Sequence, residues 1–233
     1  NILGNTTWGC TLAKVLSNDK NQVNLIYINE KKLMKANSEP AIKVNQFEIP
    51  KSKNINHLNV EEMILNNNDT LIIAVPSPRI EDNLNLIKNK INASTQIISA
   101  SKGFDKNGNT LSVLIKNKLK IPEDNIGVLS GPNLSSEILM NKPVTSLLSF
   151  KDIKKANYFR DNISNEIFRI YSGSDVVGSE IGGSLKNIIA IGCGIIDKMQ
   201  LGDNAKSAFI SRGLREIVRF GTSFKAKEYT FYG

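Results

Sequence analysis

The stretch Ile2-Leu3-Gly4-Asn5-Thr6-Thr7-Trp8-Gly9-Cys10-Thr11-Leu12-Ala13-Lys14-Val15-Leu16 decides the fold. A short apolar strand runs into a glycine turn. An amphipathic run follows, with Leu12, Val15 and Leu16 on one side, and predicts a helix over Cys10–Ser17. Such a turn aims free backbone N–H groups and the positive end of the helix dipole at an anion. Gly4 allows the tight turn, and Gly9 lets the helix pack closely on the strand. The middle position of a dinucleotide turn is normally glycine, so that a pyrophosphate can approach the backbone. Here it is Thr6, whose Cβ narrows that approach and whose hydroxyl can donate to a phosphate. The expectation is that the turn still receives a pyrophosphate, with the Thr6 hydroxyl or a slightly displaced ligand compensating.

The chain beyond the turn keeps alternating. "QVNLIYI" (22–28) is a second strand, and "VEEMIL" (60–65) a short helix. "TLIIAVP" (70–76), "TQIISAS" (95–101) and "NIGVLSGP" (125–132) are continuous apolar strands of the kind buried on both faces. Helices are expected at Ile80–Lys90, at Leu111–Leu119 and from "SEILM" (136–140), and strands at "PVTSLLSF" (143–150) and "IFRIYS" (167–172). The pattern implies an α/β fold with a doubly wound, mostly parallel sheet. From Ser174 only helical periodicity remains, with helices expected at about Asp175–Ile196 and Asp203–Phe220. The domains are therefore drawn at 1–172 (dinucleotide binding) and 173–233 (helical, substrate-binding and catalytic, and incomplete). The Lys/Asn-rich stretch Lys35–His57 reads as irregular, and a closed-up internal segment is expected there.

Composition narrows the classes. The 233 residues carry a formal charge of +8, which favours anionic partners. No basic block is interleaved with aromatics, which argues against a nucleic-acid binder. The longest apolar run, Ile188–Ile196, is too short to cross a bilayer. Cys10 and Cys193 are the only cysteines, neither at metal-ligand spacing, which points to reducing cytoplasm and no metal site. His57 reads as a surface loop position. Arg212, Arg215 and Arg219 read as ion-pairing residues of the last helix, with Arg212 the one that could reach the cleft.

The end of the second strand normally carries an acid that grips the adenosine ribose. Asn29 stands there, and Glu30 substitutes only if the register shifts. Lys31 and Lys32 could attract a 2′-phosphate, a lean toward NADP or dual use. The most informative segment is "SEIGGSLKNIIAIGCGIIDKM" (179–199). At helical spacing Val177, Ile181, Leu185, Ile188 and Ile189 form an apolar stripe. A second face holds Ser179, Gly182, Gly183, Lys186, Ala190, Cys193 and Gly194. Two adjacent glycines cost a helix about 1 kcal/mol each relative to alanine, so something must approach that backbone closely. Lys186 is the only charge on this face. Lys102 in "SASKG", and Gly131 and Asn133 in "LSGPN", lie just after buried strands, at the carboxyl edge where such sheets bind ligands.

These residues carry a resemblance. "GNTTWG", "VPS", "SASKG", "LSGPN", "GGSLKNIIAIGCGI" and "LGDNAKSAFISRGLREIVRFG" resemble, in order, the motifs of NAD(P)-dependent glycerol-3-phosphate dehydrogenases. The resemblance implies a Rossmann-like sheet domain followed by the start of an all-helical domain. It implies reversible interconversion of dihydroxyacetone phosphate and sn-glycerol 3-phosphate with NAD or NADP as cofactor, supplying glycerophospholipid synthesis. It makes Lys186 the proton acceptor in oxidation and donor in reduction. Lys102, Gly131, Asn133, Lys186 and Asn187 become contacts for a small anionic phosphorylated substrate. Gly4, Asn5, Thr6, Thr7, Trp8, Gly9, Pro76, Ser77, Lys102 and Ser135 become cofactor contacts. A homodimer is left open. In the family a Gly-Leu-Gly-Asp motif and an Asn-Arg pair follow; neither is in this sequence, and a longer parent chain is expected. The competing readings are another Rossmann-type hydroxy-acid dehydrogenase and a non-catalytic nucleotide-binding relative.

Overall fold

Each apolar run in the first two-thirds of the chain becomes a strand of one twisted sheet. The computed structural model describes residues 1–18, 20–66 and 69–232. In order come β1 (Ile2–Leu3), α1 (Thr7–Leu16), β2 (Val23–Tyr27), α2 (Glu30–Ser38), β3 (Ala41–Val44), β4 (Phe47–Pro50), β5 (Ile55–Asn59) and β6 (Thr70–Ile73). Then follow α3 (Ile80–Ile87), β7 (Gln96–Ser99), α4 (Leu111–Leu119), β8 (Ile126–Ser130), α5 (Ser135–Leu139), β9 (Val144–Phe150), α6 (Ile153–Ile163), β10 (Phe168–Gly173), α7 (Val176–Lys198) and α8 (Gly202–Ser223).

The eight-stranded sheet runs β10-β9-β8-β7-β6-β1-β2-β5. All neighbours are parallel except β8 and β9. Chain order reverses beside β1, so the turn after β1 sits at the topological switch point where doubly wound sheets bind ligands. Helices cover both faces. Leu12, Leu16, Leu25 and Phe168 belong to one buried cluster, and Leu71, Ile73, Leu84 and Ile97 to the other.

Four features differ from the sequence reading. The stretch Lys35–His57 is regular. It holds the end of α2, a β3–β4 hairpin pairing Ala41 with Pro50 and Val44 with Phe47, and the start of β5. Asn45, at φ 53°, makes the tight turn between those strands. His57 is a strand residue opposite Leu25, with its Nδ1 3.1 Å from the Tyr27 hydroxyl, and not a loop position. The expected helix over "VEEMIL" is a single tight turn, Val60–Glu62, that ends before buried Met63. Helix α6, which periodicity left unread, buries only Ala156 and Phe159 and is capped by the Asp152 carboxylate accepting from Lys154 N–H (2.9 Å).

Helix α7 leaves the sheet from Asp175, whose carboxylate caps it by accepting from Gly178 N–H at 2.9 Å. The same side chain accepts from Lys227 N–H and the Thr230 hydroxyl, which brings the segment after α8 back onto the start of α7. The apolar stripe is buried only at its beginning: Ile181 is inaccessible, while Ile188 is 63% exposed.

Candidate active site

Helix α1 begins at Thr7, a turn earlier than its periodicity predicts, and this changes what Thr6 does. Thr6 is its N-cap. The hydroxyl accepts from Gly9 N–H (3.0 Å) and donates its one hydrogen to the Ala74 carbonyl (2.8 Å). It is therefore committed to the protein, and the expectation that it donates to a phosphate is corrected. What the turn offers an anion is backbone: Thr7 and Trp8 N–H stand ahead of the helix's own hydrogen-bond ladder, at its positive end. The Trp8 ring is turned inward, edge-on to Phe168 at 6.5 Å, so only its backbone faces this role. The outer glycines fit their expected parts. Gly4 has φ 113°, and a Cβ there would meet the Ala74 carbonyl at 2.7 Å. A Cβ on Gly9 would lie 1.9 Å from the Gly4 carbonyl. Asn5 is half-buried in the turn itself.

Beside the turn a cavity of about 270 Å³ is lined by Thr6, Tyr27, Lys32, Lys35, Lys43 and Asn45, among others. Asn29 is exposed and caps α2, its Oδ1 accepting from Lys32 N–H at 3.1 Å. Lys31 is exposed and is not among the lining residues. Lys35 leans on Glu39 at 3.7 Å. Lys32 and Lys43 form no ion pair among the described residues.

Across the switch point, the loops after β6, β7 and β8 come together. Pro76 and Ser77 follow β6; a Cβ on Gly103 would come within 2.8 Å of the Ser77 hydroxyl. The Ser101 hydroxyl donates to the Val75 carbonyl (2.6 Å), tying the ends of β6 and β7 together just before Lys102. Gly131, at φ 146°, opens the loop after β8. Asn133 is held in that loop by its Oδ1, which accepts from the Ser146 hydroxyl at 2.7 Å, while its buried Nδ2 has no partner. Ser135 starts α5, half-buried.

Helix α7 lays Lys186 on this edge. A Cβ on Gly183 would sit 2.3 Å from the Ser130 hydroxyl, so this glycine brings the helix backbone onto the end of β8. Gly182 faces no such contact, its nearest neighbour being the Phe231 ring at 3.5 Å; the reading that both glycines serve close approach holds for Gly183 alone. Gly194 has nothing nearby and Ala190 is exposed, so the small-residue face is a contact only over its first turns. The Lys186 ammonium donates to the Gly131 carbonyl, which also accepts from Asn133 N–H at 2.9 Å. Burial, and then the charge of Lys102, push the Lys186 amine down to about 8. Burial lowers Lys102 as well. Asn187 is exposed beside Lys186. Of the three arginines only Arg219 makes an ion pair among the described residues, with Glu216 at 2.6 Å.

Two residues here escaped the sequence reading. Glu180 is buried, and Ser184 bonds to the Lys102 loop. The available signal was a lone acid in an apolar helix with no cation three or four residues on, where Gly183 and Ser184 stand.

The geometry matches a known family along the chain. Residues 1–156 match the profile described as NAD-dependent glycerol-3-phosphate dehydrogenase N-terminus, and residues 175–233 that of the C-terminus. The chain belongs to this family. It is 34% identical over its whole length to 70% of the glycerol-3-phosphate dehydrogenase [NAD(P)+] of Clostridium botulinum. It is 37% identical to the enzyme of that name from Dehalococcoides mccartyi, of which it covers 66%. The crystal structure of glycerol-3-phosphate dehydrogenase from Coxiella burnetii superposes with a TM-score of 0.87 at 29% identity, over all of this chain and 71% of that one.

Proposed function

We infer that this protein is an oxidoreductase that interconverts dihydroxyacetone phosphate and sn-glycerol 3-phosphate with NAD(P)H and NAD(P)+. The observation that carries the reading is the placement of Lys186. A half-buried amine near pH 8, next to a second cation, stands at the carboxyl edge of the sheet in a chain whose two parts both match the dehydrogenase family.

The residues present fit a dinucleotide. The Gly4–Gly9 turn would hold the pyrophosphate through Thr7 and Trp8 N–H, and Pro76, Ser77 and Ser135 would contribute further cofactor contacts. When bound, the cofactor supplies the hydride. The rest falls to this chain. Lys186 gives a proton to the carbonyl oxygen in reduction and takes it back in oxidation; an amine near neutrality suits both directions. Lys102 adds positive charge where the alkoxide develops. Gly131 and Asn133 shape the substrate loop, and Asn187 extends the same edge.

NADP(H) is the form that the ribose end favours. Lys32 and Lys43 line that cavity without an ion-pair partner, while its one acid, Glu39, leans on Lys35 at 3.7 Å. Calorimetry with 2′,5′-ADP and with 5′-AMP tests this: tighter binding of the former supports it, and equal binding removes it. The product suits glycerophospholipid assembly. A cytoplasmic setting fits the two free thiols, Cys10 and Cys193. No helix among the described residues is long and apolar enough to cross a membrane. The proposed division at residues 172 and 173 falls one residue inside β10, which runs to Gly173 before α7 begins at Val176, and sedimentation decides whether two copies pair. The function itself is tested by dihydroxyacetone phosphate-dependent oxidation of NADPH and NADH by the full gene product. Turnover with phosphate-free hydroxy-acid precursors instead would favour a different dehydrogenase, and no binding of either nucleotide would favour a non-catalytic relative.

A further inference from the structure

The loop that starts with Lys102 is fastened to the helical part of the chain as well as to the sheet. Ser184, two residues before Lys186 on α7, accepts from Gly103 N–H at 2.9 Å and donates to the Glu180 carbonyl at 2.7 Å. One turn earlier on the same helix, the Glu180 carboxylate accepts from Ser112 N–H at 2.8 Å and from the Ser112 hydroxyl. Helix α4 has no side-chain cap of its own at Thr110. Glu180 thus caps it from another helix, and its burial holds the carboxyl above the ordinary carboxylate range. Between these anchors the loop closes on itself. Phe104 and Thr110 form a bridge, and the Asp105 carboxylate accepts from Asn107 and Asn109 N–H. Phe104 packs edge-on against Phe220 of α8 at 6.2 Å.

Burying a carboxylate is costly, and an apolar contact would hold two helices together as well. What the carboxylate and the hydroxyl add is direction: they fix the register of α7 against the Lys102 loop to hydrogen-bond length. We propose that Ser184 and Glu180 are positioning residues that hold the Lys102 loop on α7, so that the Lys102 and Lys186 amines keep a set separation across the substrate. The inference rests on the reading of Lys186 as the proton carrier.

The other charges around α7 are engaged or placed elsewhere. Strands β8 and β9 carry none. On α8, Lys206 pairs with Asp197 and Arg219 with Glu216, leaving Asp203, Arg212 and Arg215 exposed. After α8, Lys225 and Lys227 are exposed, and Glu228 is held by the Tyr232 hydroxyl. Lys102 is the charge that acts on Lys186.

The test is competitive acetylation of Lys186 by trace anhydride across pH, read by mass spectrometry on the ligand-free full gene product, beside kcat, KM and melting temperature. Ser184→Ala is expected to move the labelling midpoint up from about 8 toward the ordinary lysine value. It is expected to lower kcat roughly tenfold to a hundredfold with KM for cofactor unchanged. Ser184→Thr is expected to restore both, and Glu180→Gln to act in the same direction as Ser184→Ala. A midpoint equal to the parent's in both Ser184→Ala and Glu180→Gln would overturn the proposal. So would a loss that follows melting temperature alone and is not restored by threonine. The labelling midpoint needs no turnover. A parent protein without dehydrogenase activity would therefore defeat the functional reading and leave this inference to be decided by its own measurement.

Discussion

The phosphate turn and the lysine-bearing face of α7 both use glycine to bring backbone close to something, but to opposite ends. At the turn, Gly4 and Gly9 bring backbone against backbone, and the one distinctive side chain, Thr6, is absorbed in holding that arrangement. On α7, Gly183 brings a helix against the end of β8 so that a side chain, Lys186, can work there. One region offers N–H groups from a rigid scaffold; the other offers a titrating amine supported by neighbours. A variant at the turn should therefore change stability and affinity, and a variant on α7 should change chemistry.

The largest break in that contrast comes from Lys186→Met. If Lys186 is the proton carrier proposed above, its removal should cut kcat by roughly 10²- to 10⁴-fold while cofactor affinity by calorimetry stays near the parent's. The same variant should melt higher than the parent at pH 7. The folded amine titrates near 8, below its unfolded value, so the unfolded state holds more protons between those two values. Parent stability accordingly rises with pH across that window, and the penalty is fully present below about 8. Thermal scans at pH 7 and pH 9.5 check the sign.

Next come the paired glycines. Gly183→Ala drives a Cβ into Ser130 and should destabilise by about 1–3 kcal/mol. Gly182→Ala meets only the Phe231 ring edge and should be neutral or stabilising by up to about 1 kcal/mol. Equal effects at the two positions in urea unfolding would erase the distinction drawn between them. The smallest effect sharpens the turn's side of the comparison. Thr6→Ala should lose about 1 kcal/mol of stability as a helix cap while nucleotide affinity changes little. A large loss of affinity without loss of stability would mean that the hydroxyl meets the ligand after all.

Much of this was legible in the residues. "TLIIAVP" and "TQIISAS" could only be buried parallel strands, and α4 has the bounds its periodicity predicts. Lys186 stood out because the small residues around it left it alone on a helix face. Helix α2, the hairpin and α6 were not legible, because each buries only one or two residues amid lysine and asparagine: Ala36, then Val44 and Ile49, then Ala156 and Phe159. Periodicity has nothing to count there, and tertiary cover decides. The fate of the Thr6 hydroxyl and the capping role of Glu180 depend on partners 68 positions away in each case, which no local pattern carries.

The measurement closest to the central claim is kcat/KM for dihydroxyacetone phosphate reduction and for glycerol 3-phosphate oxidation between pH 7 and 10. The account predicts mirror-image curves. Reduction should be flat below the Lys186 transition and fall about tenfold per unit above it; oxidation should rise about tenfold per unit to the same point and then level off. Curves with no break below pH 10, as an unperturbed lysine at about 10.4 would give, or curves that move in the same sense in both directions, would contradict it.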